Sequence, residues 1–100
     1  MPHTTGSPIV QLTDIPTHAA DVVSRLIDGE AVLVHPGQGV VRVLNQVGAT
    51  LWELTDGQRS AAELADALVA EYDVDPARAQ ADVLAFLADL AERGVLSSTH

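Results

Sequence analysis

The sequence predicts an α+β domain of winged-helix-like layout, in which a three-stranded antiparallel β-meander is followed by three α-helices. Two tight turns separate three runs rich in β-branched residues, and three helix-start signals come after them. Strands followed by helices, without alternation of the two, are typical of α+β domains. A chain of 100 residues has room for one such domain.

The three strands are predicted at 22–27, 30–35 and 40–44, where valine, leucine and isoleucine dominate. Asp28 and Gly29 separate the first two runs, and this pair favours a two-residue hairpin because both turn positions need a positive φ. Residues 36–39, Pro-Gly-Gln-Gly, predict the second turn.

Three helix starts follow from side chains that can bond free backbone N–H groups. Asn45 predicts the N-cap of the first helix, and Ser60 with Glu63 forms a capping box for the second. Asp75 followed by proline predicts the start of the third helix, and Gly94 predicts its end.

The two ends of the chain are predicted to lie outside the domain. Residues 1–21 carry three prolines and several Ser and Thr residues, which predicts a flexible N-terminal arm. The domain is then expected to span residues 22–96, and residues 97–100 are expected to form a short tail.

Composition argues against several function classes. Five arginines against 14 acidic residues give a formal net charge of −9, so we expect neither a nucleic-acid partner nor an anionic membrane partner. The chain has no cysteine, and its four histidines lack metal-site spacing. We therefore predict a non-enzymatic protein without a cofactor. The N-terminus lacks the pattern of a secretory signal, which favours a cytoplasmic location.

The third predicted helix has an unusually wide apolar sector. At about 100° per residue, one arc forms the expected core face: Ala79, Val83, Phe86, Leu87 and Leu90. A second sector around Leu84 adds several alanines. Two interpretations remain open: the alanines serve helix propensity and Leu84 is buried by the sheet, or this sector forms one wall of a groove.

The third predicted strand would supply the other wall of that groove. Residues 40–44 contain four apolar side chains and one arginine, with no proline or lysine to protect an outer strand. An unprotected edge is either an aggregation hazard or a docking site for an added strand.

Three segments resemble the PqqD-like family of peptide-binding domains, also called RiPP recognition elements. Residues 44–57, LNQVGATLWELTDG, are similar to the family's "LN-x-x-G-a-x-a-W-x-x-l-d-G" segment. Residues 71–75, EYDVD, and 81–90, ADVLAFLADL, are similar to its "eeyDvd … aDVxaFLxeL" ending. The resemblance covers about residues 22–96. It implies a winged-helix-like domain that binds the leader segment of a ribosomally made precursor peptide, as a chaperone in the biosynthesis of a natural product or of a pyrroloquinoline quinone-like redox cofactor.

In the family the leader adds as a strand beside the third strand and packs against the third helix. Carried over to this sequence, the resemblance implies a peptide-binding site at Val40, Val41, Arg42, Val43, Arg78, Gln80, Leu84, Leu87 and Ala88. Many relatives have an aromatic residue in the third strand, where this chain has Val-Val-Arg-Val. The implied partners are the leader and a modifying enzyme, either a radical SAM protein or a leader protease.

Two other functions use the same architecture. A winged-helix DNA-binding regulator needs a basic recognition helix, and residues 77–93 carry two arginines against three acidic residues. A structural homodimer would pair the outer strands of two copies with each other.

Overall fold

The computed structural model describes residues 10–99. It contains five strands and three helices in these residues: β1 (Ile15–His18), β2 (Val23–Ile27), β3 (Glu30–His35), β4 (Gly39–Leu44), α1 (Gln46–Leu54), α2 (Ala61–Tyr72), α3 (Pro76–Glu92) and β5 (Leu96–Thr99). The predicted meander and three helices are confirmed, with strand and helix bounds close to those expected. Residues 1–9 of the predicted arm and residue 100 of the predicted tail lie outside the described part.

Strands β2, β3 and β4 form an antiparallel sheet in which β3 is central. The β2–β3 turn is tight because Asp28 and Gly29 both have positive φ, 52° and 83°, as the sequence predicts for this pair. The β3–β4 register shifts by one residue: Leu33 pairs with Arg42, whereas Val34 pairs with Val40. Val41 is therefore the extra residue of a β-bulge in the outer strand.

The two faces of this sheet differ sharply in burial. Residues paired directly across strands share a face, so Leu33 and Arg42 lie on one side together with the Ala31–Leu44 pair. Leu33, Ala31 and Leu44 are buried, which identifies this side as the one covered by the helices. The other side carries exposed valines, including Val23, Val40 and Val43.

The helices begin where their capping side chains are found. Asn45 accepts a hydrogen bond from the N–H of Gly48 at 2.9 Å. Ser60 and Glu63 form the predicted reciprocal capping box, and Asp75 accepts from the N–H of Arg78. These bonds satisfy N–H groups that a helix cannot satisfy internally.

The core lies between the sheet and the three helices. Its most deeply buried large side chains include Leu33 from β3, Leu64 from α2, and Val83, Leu87 and Leu90 from α3. Trp52 of α1 is 2% exposed and joins the same cluster. The apolar arc predicted for the third helix therefore faces this core, except that Phe86 is only half-buried at its border.

The described part of the predicted arm is folded, which differs from the expectation of a loose segment. Residues 15–18 form β1, which pairs antiparallel with β5 at the other end of the chain. The carbonyl of Asp14 accepts from the N–H of Ala61, and that of Pro16 accepts from the N–H of Gly57. Pro16 makes this segment resemble loop sequence, and its strand partner lies too far along the chain for local pattern to indicate it. The predicted tail differs in the same way, because its residues 97–99 belong to β5.

Candidate functional site

A groove runs between the outer strand β4 and the helix α3. Two contacts fix their relative position: Arg42 Nε lies 3.1 Å from a carboxylate oxygen of Asp89, and Arg93 donates to the carbonyl of Val41 at 3.4 Å. Arg42 points to this side because it shares the face of buried Leu33. The C-terminal half of α3 therefore lies alongside β4.

One end of the groove is an apolar pocket of about 350 Å³. Phe86 of α3 forms one wall, Leu44 of β4 another, and α1 closes the bottom. The full lining is Arg42, Val43, Leu44, Asn45, Val47, Gly48, Leu51, Leu68, Asp82 and Phe86. This volume is at the low end of the roughly 300–1,000 Å³ that small-molecule pockets span, so it suits one large apolar side chain.

Gly48 allows Phe86 to approach α1 closely. A Cβ atom at this position would lie 3.2 Å from Leu44 Cβ and 3.4 Å from Phe86 Cε1. Both distances are shorter than comfortable carbon–carbon contacts. The glycine of the "LN-x-x-G" segment therefore shapes the wall of the pocket.

The other end of the groove is a second recess of about 540 Å³, and it is more polar. It lies between the start of β4 and the end of α3 and is lined by Gln38, Val40, Val41, Glu92, Arg93 and Gly94. Pocket and recess thus lie along the same strand, and each takes part of its lining from α3 or the residues that follow it.

A charged cluster spans the groove between the pocket and the recess. Arg42 and Arg93 both contact the carboxylate of Asp89, each at 3.1 Å. Further along α3, Arg78 pairs with Asp82 at 3.3 Å. The side chains of Arg42 and Arg93 remain 44% and 43% exposed, so their guanidinium groups are accessible to a ligand.

The backbone of β4 is open on the side away from β3. The two-residue turn makes Ile27 and Glu30 a hydrogen-bonded pair, and bonded and non-bonded pairs alternate from there. On β3, Glu30 therefore bonds β2, and Ala31 and Leu33 bond Leu44 and Arg42 of β4. Val43 lies between these two bonded residues, so its N–H and C=O point outward. The Val43 side chain is 51% exposed. A further strand can therefore pair with this edge.

Strand β2 is the other edge of the sheet and is exposed along its whole length. The two edges differ in what lies beside them, because the salt bridge to Asp89 and the pocket lined by Phe86 both belong to the β4 edge. At β4 an open backbone and an apolar pocket are found together.

The four predicted strand residues all lie along the groove. Arg42 and Val43 line the pocket, and Val40 and Val41 line the recess. Of the predicted helix residues, Arg78 lies on the groove side of α3, where it pairs with Asp82.

The structure places the other four predicted helix residues away from the lining of this groove. Leu87 is fully buried in the core and has no surface to offer a peptide. On a helix with about 100° per residue, Leu84 lies roughly 160° away from Phe86, so it belongs to the opposite flank of α3. Gln80 and Ala88 share that flank and do not line the pocket or the recess. The sector around Leu84 is thus not the wall of this groove.

The groove wall consists instead of four residues that the predicted site does not include. They are Asp82, Phe86, Asp89 and Arg93, which recur every three or four residues on one stripe of α3. One signal in the sequence pointed to them: Arg42 is a single charge in an apolar strand and needs a partner on the facing helix.

Comparison with known proteins was made on sequence and on fold. The family model described as Coenzyme PQQ synthesis protein D (PqqD) matches residues 30–96. A "PqqA binding protein" of Rhodopseudomonas palustris strain HaA2 is 40% identical over 56 residues, which are 56% of this chain and 55% of that protein. Its counterpart in strain TIE-1 is 38% identical over the same length. The chain thus spans about half the length of the curated relatives it matches.

Two solved structures are similar over most of the chain. One is TbiB1 in complex with the TbiA(beta) leader peptide, with a TM-score of 0.74, 36% identity, and coverage of 81% of this chain and 94% of that one. The other is the PqqD truncation of Methylobacterium extorquens PqqCD, described as a stand-alone RiPP recognition element, with a TM-score of 0.75, 30% identity, and coverage of 88% and 94%.

The family match spans the sheet from β3 onward, all three helices and the groove between β4 and α3. The two solved structures share this architecture. By sequence and by fold, the chain belongs to the PqqD family.

Proposed function

We propose that this protein binds the leader segment of a ribosomally synthesised precursor peptide, which adds as a strand to the edge of β4. One observation carries the proposal: the open backbone of β4 lies beside a pocket lined by Phe86 on α3. An extended peptide can bond such an edge through its main chain and place alternate side chains in the groove.

The relatives support this proposal. TbiB1, which shares 36% identity with this chain, was solved with a leader peptide bound, and the Rhodopseudomonas palustris relatives are named PqqA binding protein. The match to TbiB1 covers 94% of that chain, so the likeness includes the region of β4 and α3.

The groove offers enough interaction for moderate affinity. Each main-chain hydrogen bond contributes about 1 kcal/mol net, and one buried leucine or phenylalanine side chain about 1.5–3 kcal/mol. Ordering a disordered peptide opposes these gains. A dissociation constant near the micromolar range, about −8 kcal/mol, is therefore expected.

We propose an adaptor role without catalysis. The polar side chains of the groove centre, Arg42, Asp89 and Arg93, are ion-paired with each other, an arrangement suited to binding. A captured leader brings the rest of the precursor near a modifying enzyme, a radical SAM protein or a leader protease, and raises its effective concentration. The product would be a modified peptide or a pyrroloquinoline quinone-like cofactor.

A homodimer remains a second candidate, because the fully exposed β2 provides another open edge. A DNA-binding function is less well supported than peptide binding. The arginines along α3 are paired with carboxylates, Arg78 with Asp82 and Arg93 with Asp89, which leaves no basic helix face.

NMR titration with a synthetic leader, taken from a short precursor gene next to this one, tests the proposal. We expect the backbone signals of Val40 to Val43 and of Phe86 to shift, and those of β2 to stay in place. Saturable shifts confined to β2, or no shifts with any neighbouring precursor, would contradict leader capture at β4. Light scattering with and without the peptide tests the homodimer: a dimer through β2 should persist when the peptide binds, and a dimer through β4 should dissociate.

A further inference from the structure

The groove presents two different subsites at a fixed spacing along β4. Arg42 and Leu44 are two residues apart on the same strand and point to the same face of the sheet. Leu44 lines the apolar pocket with Phe86, and Arg42 belongs to the cluster with Asp89 and Arg93. The two subsites are therefore about 6.6 Å apart along the strand direction.

A peptide strand paired with β4 has the same two-residue period. Its side chains that point toward α3 alternate with those that point away, so two of them, separated by one residue, face the two subsites. The two subsites can select side chains only in a peptide that pairs with the β4 edge, as the proposed function states.

The charged cluster favours a carboxylate at its subsite. Two guanidinium groups share the single carboxylate of Asp89, and both arginines are more than two-fifths exposed. A guanidinium has five donors, and the contacts of Arg93 leave several of them free for a second carboxylate. Negative charge flanks this subsite on both sides, because Glu92 lines the recess and Asp82 lines the pocket. A peptide carboxylate is therefore favoured only between them, at Arg42 and Arg93.

Peptide binding itself also releases one of these donors. Arg93 Nη1 bonds the carbonyl of Val41 at 3.4 Å, at the long end of hydrogen-bond distances. A backbone N–H of an added strand that takes over this carbonyl frees Arg93 Nη1 for an acidic side chain. The exchange couples strand addition to recognition of the carboxylate.

We propose that this protein selects leaders with an apolar side chain and a carboxylate side chain two residues apart, the first for the Phe86 pocket and the second for Arg42 and Arg93. The order of the two along the leader depends on whether its strand runs parallel or antiparallel to β4. The inference rests on the proposed function and adds to it the chemical class of the substrate.

Selection from a display library of random peptides tests the inference even when the sequence of the natural leader is unknown. The wild-type protein is compared with the Arg42→Gln and Arg93→Gln variants. Arg25→Gln is the matched control, because it removes the same charge from the same sheet. Arg25 pairs with Val32, on the face turned away from the groove. Circular dichroism and urea unfolding establish that each variant is folded, which is needed because Arg42 and Arg93 both make contacts between β4 and α3.

We expect wild type and the Arg25→Gln variant to enrich peptides with aspartate or glutamate two positions from a large apolar residue. The Arg42→Gln and Arg93→Gln variants should keep the apolar preference and lose the acidic one. For one enriched peptide, changing its glutamate to glutamine should weaken binding to wild type by about 5- to 10-fold, and less at high salt. The same change should matter less than about twofold in the Arg42→Gln/Arg93→Gln double variant.

The failures of the two proposals are distinguishable. Peptides that shift the NMR signals of β4 but show no acidic preference, or keep it in both arginine variants, would overturn the carboxylate inference and leave peptide capture intact. If none of the enriched peptides shifts the β4 signals, both peptide capture at β4 and this inference are overturned.

Discussion

Phe86 and Leu84 stand two residues apart on α3 and are both half-buried, yet they lie on opposite flanks of the helix. Phe86 lines the pocket beside β4, whereas Leu84 packs at the border of the core away from it. Around the helix axis, Leu87 lies between these two residues, and it is fully buried. A difference of one or two positions in a helix thus decides whether an apolar side chain supports the fold or the site.

We expect Phe86→Ala to weaken leader binding by about tenfold, or about 1.4 kcal/mol, because the pocket loses its aromatic wall. Isothermal titration calorimetry measures this loss. Leu84→Ala is the matched control, since it truncates a half-buried side chain of the same helix. It should leave affinity within about twofold and lower the free energy of unfolding by about 1 kcal/mol. Equal losses of affinity in both variants would place the peptide elsewhere on α3.

Gly48 gives a second prediction for a single residue. Gly48→Ala adds a Cβ atom 3.2 Å from Leu44 Cβ, which has little freedom to move, and 3.4 Å from Phe86 Cε1. The gain in helix propensity, about 1 kcal/mol, is offset by overpacking of about 1–3 kcal/mol. Urea unfolding should therefore show unchanged or lower stability, and titration should show weaker leader binding as Phe86 is pushed into the pocket. An unfolding midpoint at higher urea concentration, together with unchanged leader affinity, would contradict this prediction and show that the added methyl group fits without a clash.

Among the secondary-structure elements, the two outer strands of the sheet have the same open backbone but different neighbours. Strand β4 carries a bulge at Val41 and lies beside α3, and β2 is exposed on all five residues. The Asp28–Gly29 turn sets the register, and the register decides which N–H groups point outward.

Val43→Pro tests strand addition directly. Proline is tolerated on an edge strand where its missing N–H would point to solvent, so the domain should stay folded while leader binding falls by tenfold or more, a loss of about 1.4 kcal/mol or more. Ser24→Pro is the control, because the same alternation directs the N–H of Ser24 outward on β2. Full binding by the Val43→Pro variant, or equal loss in the Ser24→Pro variant, would contradict pairing at β4.

The helix caps give a prediction that concerns stability alone. Ser60→Ala removes the acceptor for the N–H of Glu63 at the start of α2, away from the groove. The free energy of unfolding should fall by about 1 kcal/mol, measured by urea denaturation, with leader affinity unchanged. A change in affinity would mean that α2 is coupled to the site.

At the scale of the whole molecule, β1 and β5 bring residues 15–18 and 96–99 together. His18 of β1 stacks on Trp52 with ring centroids 3.5 Å apart, and its Nε2–H donates to the Trp52 carbonyl at 2.7 Å. Pro16 and Asp14 of the same segment are also buried. The segment before β2 therefore covers part of the core.

Removal of residues 1–21 should expose Trp52 and lower the free energy of unfolding by about 2–4 kcal/mol, since buried side chains and inter-element hydrogen bonds are lost together. The chain has a single tryptophan, so its emission reports the change as a shift to longer wavelength. His35→Ala, which changes a histidine at the far hairpin, is the control. Unchanged emission and stability after the truncation would restore the prediction of a loose arm.

Local sequence is sufficient to predict the meander, the three helices and their starts, because these depend on turn residues, caps and hydrophobic periods that act within a few residues. It also shows that residues 40–44 form a strand without protective residues, whereas the proposed docking of a peptide there comes from the family resemblance. Packing is needed to show that α3 turns one stripe toward this strand, the residues Asp82, Phe86, Asp89 and Arg93, and turns Gln80, Leu84 and Ala88 away from it.

The physical reason is that the rotation of α3 about its axis is set by its packing against α2 and β5. Helical period alone leaves open which border of the core lies next to β4. The pairing of β1 with β5 could not be predicted from local sequence either. Strand pairing between distant segments depends on the path of the whole chain.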